Sequence, residues 1–178
     1  MIDTSGIAGA GTAGRSDTGR AEDTDMKARE IRVDIDNSLT LEELLRLGNY
    51  GNRISSKTET DEKTLKKIME RLEGIELGTS KKEIIYLVNI GYYVQKAKAA
   101  SVLKESGYDP VNLRTLLSIG HQHQNEQVKW FILSLYNMKN GALGEIYLSG
   151  DKIYRNAGMF GTGDGIGEHS LFACHRIS

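Results

Sequence analysis

One continuous stretch, residues 80–107, constrains the fold more than any other part of the chain. It reads SKKEIIYLVNIGYYVQKAKAASVLKESG, with Glu83 three positions after Ser80 and a closing glycine at Gly107. A serine followed three residues later by a glutamate is typical of a capping box, and glycine commonly follows the last turn of a helix. The sequence therefore predicts a central helix of up to about 27 residues, roughly 40 Å long at 1.5 Å per residue.

The apolar pattern changes within this predicted helix. Residues 84–94 are apolar nearly all round, apart from Asn89, which indicates burial on several sides. The second half narrows to a stripe of small residues beside Lys96, Lys98 and Lys104. Gly91, between the two halves, predicts a kink or a close contact with another helix.

Four further segments show helix signals. Residues 38–48 carry a capping box from Thr40 to Glu43, and residues 60–74 place apolar side chains at helical spacing. Residues 109–120 begin with Asp109 as N-cap and Pro110 at the first helical position, and residues 125–141 show one apolar face before an Asn-Gly stop. The sequence thus predicts a compact bundle of about five helices over residues 38–141.

In the last quarter of the chain, apolar and polar residues alternate with a period of two. The segment GEIYLSGDKIYR is two short runs around Ser149, Gly150 and Asp151, which predicts a β-hairpin. A glycine-rich loop follows at 158–167, and HSLFACHRI then predicts a third strand that returns against the hairpin. The predicted fold class is α+β, mainly α: a helical bundle followed by a small C-terminal antiparallel β element, residues 142–178, packed on it.

The N-terminal residues 1–37 predict a disordered acidic arm. They are rich in Gly, Ser, Thr and Asp and contain few large apolar side chains, so they cannot bury enough surface to offset their ordering entropy. Within the arm, Ile31, Val33 and Ile35 alternate with polar residues, which predicts a short extended segment over 31–36. Such a segment needs a partner to be stable, and these three residues are the predicted contacts if the arm adds a strand to another subunit.

Composition narrows the classes of protein to consider. A length of 178 residues fits one domain, and a net charge of −1 argues against nucleic-acid binding by bulk electrostatics. A single cysteine excludes an internal disulfide. Because we find no apolar run of membrane-spanning length and no signal peptide, the expected location is cytoplasmic or otherwise intracellular.

The glycine-rich loop GMFGTGDGIG fails the specific phosphate-binding patterns. The sixth position of a dinucleotide fingerprint beginning at Gly161 is Ile166, and no Gly-Lys-Ser/Thr follows. A mobile linker is the favoured interpretation, and a ligand-binding loop is the alternative. The residues of that alternative site are Gly161, Gly163, Asp164, Gly165, Glu168 and His169.

The remaining chemistry-bearing residues predict no catalytic, metal or cofactor site. His121, His123, His169 and Cys174 are suitable zinc ligands by type, but their spacing favours solvated histidines and a buried thiol. Basic residues come closest to a patch that could contact nucleic acid or another anion. They are Lys63, Lys66, Lys67 and Arg71 on the predicted helix over 60–73, with Lys81 and Lys82.

These observations favour a non-enzymatic protein-protein interaction or self-assembly protein that uses its N-terminal arm and helical bundle. Its expected partner is a second copy of the chain, giving a homo-oligomer, or another protein, with no membrane span. One alternative is a nucleic-acid-binding domain that uses the basic face of the helix over 60–73. The other is a small enzyme or ligand-binding protein with its site at residues 158–169.

Overall fold

The computed structural model of the chain describes residues 26–48, 80–137, 143–150, 155–160 and 165–178. The strands and helices within these residues, in chain order, are β1 (Lys27–Ile35), α1 (Leu41–Leu47), β2 (Lys81–Asn89), β3 (Val94–Gln95), α2 (Lys96–Glu105), β4 (Tyr108–Pro110), α3 (Leu113–Gln122), α4 (Gln124–Gln127), β5 (Phe131–Asn137), β6 (Leu143–Gly150), β7 (Arg155–Phe160), β8 (Gly165–Ile166) and β9 (Ser170–Arg176).

A mixed sheet forms the centre of the fold. Its strand order is β1-β2-β9-β5-β6-β7, with β4 also paired to β9, so the last strand in sequence lies in the middle. Only β5 and β9 run parallel; the other paired strands of the sheet are antiparallel. Strands β3 and β8 form a separate two-stranded ladder.

Both faces of the sheet are covered. The α3 face carries side chains such as Val33, Leu87 and Ile132, which pack against Leu44 of α1 and Leu116 of α3. The α2 face packs against α2 and the β3–β8 ladder through a second core cluster. That cluster contains Val88, Leu133, Phe172, Cys174, Ala99, Leu103 and Ile166.

The predicted helical bundle over 38–141 is wrong, because the described residues form a sheet-rich α+β fold. The first half of the predicted central helix is strand β2, which lies between β1 and β9. Ile85 and Leu87 face one core, and Val88 faces the other. A strand buried on both faces has no alternation of apolar and polar residues, and a short apolar run of this kind is indistinguishable from a buried helix by periodicity alone.

The predicted capping box at Ser80 is also absent. The Ser80 hydroxyl instead donates to the Asp36 carboxylate at 3.1 Å and accepts from the Asn37 amide at 3.0 Å. Gly91 has φ of 86°, a left-handed conformation that ends the extended segment rather than kinking a helix. The helix prediction holds only for the second half of the stretch, where α2 ends just before Gly107 at φ of 80°.

Two other helix predictions fail in part. In the segment predicted as a helix over 125–141, the described residues form most of the single turn α4 and then β5, whose Ile132 and Leu133 face opposite sides of the sheet. Pro110 lies in β4 rather than in the first turn of a helix, and α3 begins after Asn112, whose side chain accepts from the Thr115 amide at 2.9 Å. The residue before a proline favours extended backbone, which fits Asp109 in strand β4. Asn112, rather than Asp109, is the N-cap of the helix that follows.

Several local predictions agree with the structure. Helix α1 has the predicted capping box, with Thr40 and Glu43 each bonded to the other's backbone amide. Strands β6 and β7 form an antiparallel hairpin, as predicted, but its position is shifted: Ser149 and Gly150, predicted in the turn, belong to β6, and β7 extends over residues 158–160 of the predicted glycine-rich loop. The final strand β9, however, pairs with β2, β4 and β5 and not with the hairpin. The helix predicted over 60–74 lies outside the described residues.

Candidate functional site

Strand β1 lies at one edge of the sheet, so its outward backbone N–H and C=O groups determine whether another strand can pair with it. Its nine-residue register with β2 is unbroken. In a regular antiparallel ladder, alternate residues direct both backbone groups away from the partner strand. The bonds made by Arg32 and Asp34 identify the outward set as the even-numbered residues of β1.

The second half of this edge is covered by side chains from the end of α3. The Gln122 amide accepts from the Asp34 N–H at 2.9 Å and donates to the Asp34 carbonyl at 2.6 Å, so it imitates a paired strand residue. The His123 ring bonds through Nε2 to the Arg32 carbonyl at 2.8 Å. These contacts occupy backbone groups that would otherwise pair with another strand.

The first half of the edge is open within the described part of the chain. Ala28 and Glu30 belong to the outward set and are exposed, and no described residue bonds to their outward N–H and C=O groups. About four unpaired backbone groups in a row form a template for an additional strand. We call this segment, Ala28 to Glu30, the open edge.

A groove adjoins the open edge on the α3 face. It has a volume of about 480 Å³ and is reached past Lys27 and Arg29 of β1. Leu87 and Leu171, both buried, lie along its floor, and Trp130 forms part of its wall. We call it the Trp130 groove. A concave site with an apolar floor and a few polar groups is typical of binding sites.

The far rim of the groove is the turn before β9. The amide of Asn89 donates to the Glu168 carbonyl at 2.7 Å and to the Ser170 carbonyl at 3.0 Å, which fixes this turn against the end of β2. The His169 ring lies 6.3 Å from the Trp130 ring, tilted by 55°. The Asn89 contacts thus hold two aromatic rings together at one end of the groove.

The near rim carries positive charge. Arg29 makes a two-pronged ion pair with Glu126 of α4, and this hydrogen bond lowers the pKa of Glu126 and raises that of Arg29. Lys27 is exposed and forms no ion pair with any described carboxylate. On this side of the groove, the charge of Arg29 is therefore neutralised by Glu126, whereas that of Lys27 is not paired with any described carboxylate.

The residues of the predicted ligand loop separate into three groups. Glu168 and His169 lie on the rim of the Trp130 groove. Gly165 lies in the β3–β8 ladder, where its amide donates to the Tyr93 hydroxyl at 3.1 Å and an added Cβ would lie 2.2 Å from Tyr93 Cζ. Gly161, Gly163 and Asp164 lie outside the described residues.

The predicted basic patch is only partly described. Lys81 pairs with Glu83, and Lys82 lies 3.9 Å from Asp34. Lys63, Lys66, Lys67 and Arg71 lie outside the described ranges, so the nucleic-acid interface stays a prediction.

The predicted partner-arm residues face the interior of the chain's own fold. Ile31, Val33 and Ile35 are buried in the core on the α3 face, and β1 pairs with β2 of the same chain. The open edge is therefore formed by the backbone of β1 rather than by these side chains.

The histidines and the cysteine occupy different surroundings. His121 Nδ1 lies 3.2 Å from the Leu47 carbonyl, His123 contacts β1, and His169 contacts Trp130. Cys174 is buried on the α2 face, where burial raises the pKa of its thiol. Within the described ranges, no three side chains of the metal-binding types are grouped together.

Sequence reasoning missed most of the residues that form this site. Trp130 lies in the segment that was predicted as the last helix of the bundle, whereas in the structure it precedes β5 and is partly exposed on the groove wall. Gln122 carried no pattern that marked it. The detectable signals were Asn89, the polar residue within the apolar stretch 84–94, and the charges at Lys27 and Arg29 just before the alternating segment 31–36.

Comparison of the chain with protein-family models, with curated proteins and with solved structures found no match. Among the described residues, none of the helices combines the length and apolar character needed to cross a membrane.

Proposed function

We propose that this protein is a non-enzymatic binding protein that accepts an extended segment of another polypeptide along the open edge of β1. The observation that supports this proposal is the contrast between the two halves of that edge. Gln122 and His123 occupy the outward backbone groups at Asp34 and Arg32, while those at Ala28 and Glu30 are unoccupied by described residues. Strand addition uses backbone groups of this kind for affinity and neighbouring pockets for specificity.

Charge favours a different chain over a second copy. If two copies paired antiparallel along their open edges, the possible registers would place Lys27 opposite Arg29, Arg29 opposite Arg29, or Glu30 opposite Glu30. Like charges directly opposite each other destabilise a strand pair. We therefore prefer a heterologous partner to the self-assembly considered from sequence.

The test uses a proline that removes one outward donor. The N–H of Ala28 points away from β2, so Ala28→Pro leaves the β1–β2 bonds intact but blocks an added strand. Ala28→Val is the matched control, because it keeps the N–H and favours extended backbone. Random octapeptides would be selected on the immobilised wild-type protein, and their affinities measured by fluorescence anisotropy.

We expect selected peptides to bind the wild type and Ala28→Val alike, and Ala28→Pro at least about tenfold more weakly, since the lost N–H leaves a carbonyl of the added strand unsatisfied, at a cost of about 1–3 kcal/mol. Peptides that bind all three proteins equally, or the absence of any binder, would refute strand addition at this edge. An oligomer of the chain that dissociates on Ala28→Pro would identify a second copy as the partner and refute our charge argument.

A further inference from the structure

We infer that the segment added to β1 is acidic and carries an aromatic side chain that enters the Trp130 groove. This inference rests on the proposed strand addition and specifies the chemistry of the partner. It combines two independent features of the site, the charge on one face of β1 and the shape of the adjoining groove.

The charge comes from side chains two residues apart. Lys27 and Arg29 share the α3 face of β1 with Ile31, because successive strand residues alternate between faces. Side chains of an added strand that point to the same face would lie opposite Lys27 and opposite Arg29, which is already paired with Glu126. A carboxylate opposite Lys27 forms a favourable cross-strand pair, whereas a lysine there meets a like charge.

The groove lies within reach of the same face. An added strand runs about 4.8 Å outside β1, so a long side chain on its α3 face can enter the end of the groove that is lined by Lys27 and Arg29. Leu171 and Trp130 lie further into the groove, with the His169 ring beside Trp130.

The groove is large enough for this occupant. Its volume of about 480 Å³ exceeds that of one phenyl ring, and its floor offers buried leucine side chains. Lys27, which pairs with none of the described carboxylates, is the available cation at its entrance. An apolar floor with Lys27 at the entrance matches an aromatic side chain and a carboxylate on the same face of the added strand.

Trp130 makes the inference directly measurable, because it is the single tryptophan of the chain. Its emission therefore reports on the groove in the full-length protein. The probe is an acetylated, amidated octapeptide of alternating glutamate and valine in which one central glutamate is replaced by phenylalanine, so that the phenylalanine and the remaining glutamates share one face of the strand. Matched peptides carry valine in place of phenylalanine, or lysine in place of every glutamate.

We expect the phenylalanine peptide to change Trp130 emission saturably and to bind at least tenfold more tightly than either matched peptide. Lys27→Glu should weaken its binding at least tenfold. Lys104→Glu makes the same charge change at an exposed position of α2, on the opposite face, and should leave binding unchanged.

The outcomes separate this inference from the proposed function. Peptides that bind in an Ala28→Pro-sensitive manner with equal affinity for acidic and basic versions would overturn the inference and leave strand addition intact. Phenylacetate that changes Trp130 emission, with no peptide binding, would show a small-molecule site and overturn both. Binding of the phenylalanine peptide without any change in Trp130 emission would also overturn the inference.

Discussion

A buried ion pair beneath α2 gives the most demanding test of the fold. Lys96 Nζ lies 3.7 Å from Glu145 Oε2, and the two side chains are only 6% and 9% exposed. The lysine begins α2 and the glutamate lies on β6, so the pair joins two elements far apart in sequence. Nearby, burial and then the Glu145 charge raise the pKa of Tyr147.

Removing one partner should cost much more than removing both. Lys96→Met leaves the Glu145 charge in a buried site, and Glu145→Leu does the same to Lys96, each at a cost of about 3–5 kcal/mol. For a chain of this size, that cost lowers the melting temperature by about 6–20 °C. The double variant leaves neither charge unpaired, so its loss should fall below the sum of the single losses by about 2 kcal/mol or more.

The assay is urea denaturation followed by circular dichroism, with free energies of unfolding from linear extrapolation. Lys98→Met is the control, because Lys98 lies on the same helix and is exposed, so its loss should stay within about 0.5 kcal/mol. Single losses that simply add in the double variant, or a Lys96→Met loss no larger than the control's, would refute the coupling.

Three further predictions concern the edge of the sheet and its surroundings. Arg29 lowers the pKa of Glu126 from its ordinary value of 4.5, so the stabilisation from this pair is present above that pH and is lost as the pH falls through the lowered value. Arg29→Met should therefore be less stable than wild type at pH 6, with the difference shrinking on acidification in urea titrations; a difference independent of pH would contradict this. Gln122→Ala should speed hydrogen exchange of the Asp34 amide, which loses its acceptor, but not of the Val33 amide, which faces β2; equal acceleration of both would indicate general fraying. Gly165→Ala should displace the Tyr93 ring and cost about 1 kcal/mol through the lost hydrogen bond, whereas Gly167→Ala, with open space around it, should be nearly neutral in thermal melts.

Local signals in the sequence were reliable where local contacts set the structure. The Thr40–Glu43 capping box forms because both partners lie within one helical turn. Gly107 follows α2 because a positive φ is accessible to glycine at low cost. The β6–β7 hairpin likewise depends on neighbouring residues. None of these features requires a distant part of the chain.

The sequence-based predictions failed where burial on both faces of a strand removed the alternation of apolar and polar residues. Residues 84–90 and 131–135 are apolar except at Asn89 and Ser134, and only their position between other strands decides that they are extended. Helical spacing could be read into both runs because nearly every position is apolar. Both a helical bundle and a sheet would bury these segments, so their apolar composition does not distinguish the two folds.

What the sequence by itself determined is that residues 84–94 are largely buried and where α1 and α2 end, because apolar side chains leave water in any fold and caps are local. The tertiary structure alone decided that β9 lies between β2 and β5, and this placement creates the candidate site. The Trp130 groove draws on β1, β2, the residue before β5 and the turn before β9. These segments are far apart along the chain, so no local spacing could reveal that strand pairing would bring them together.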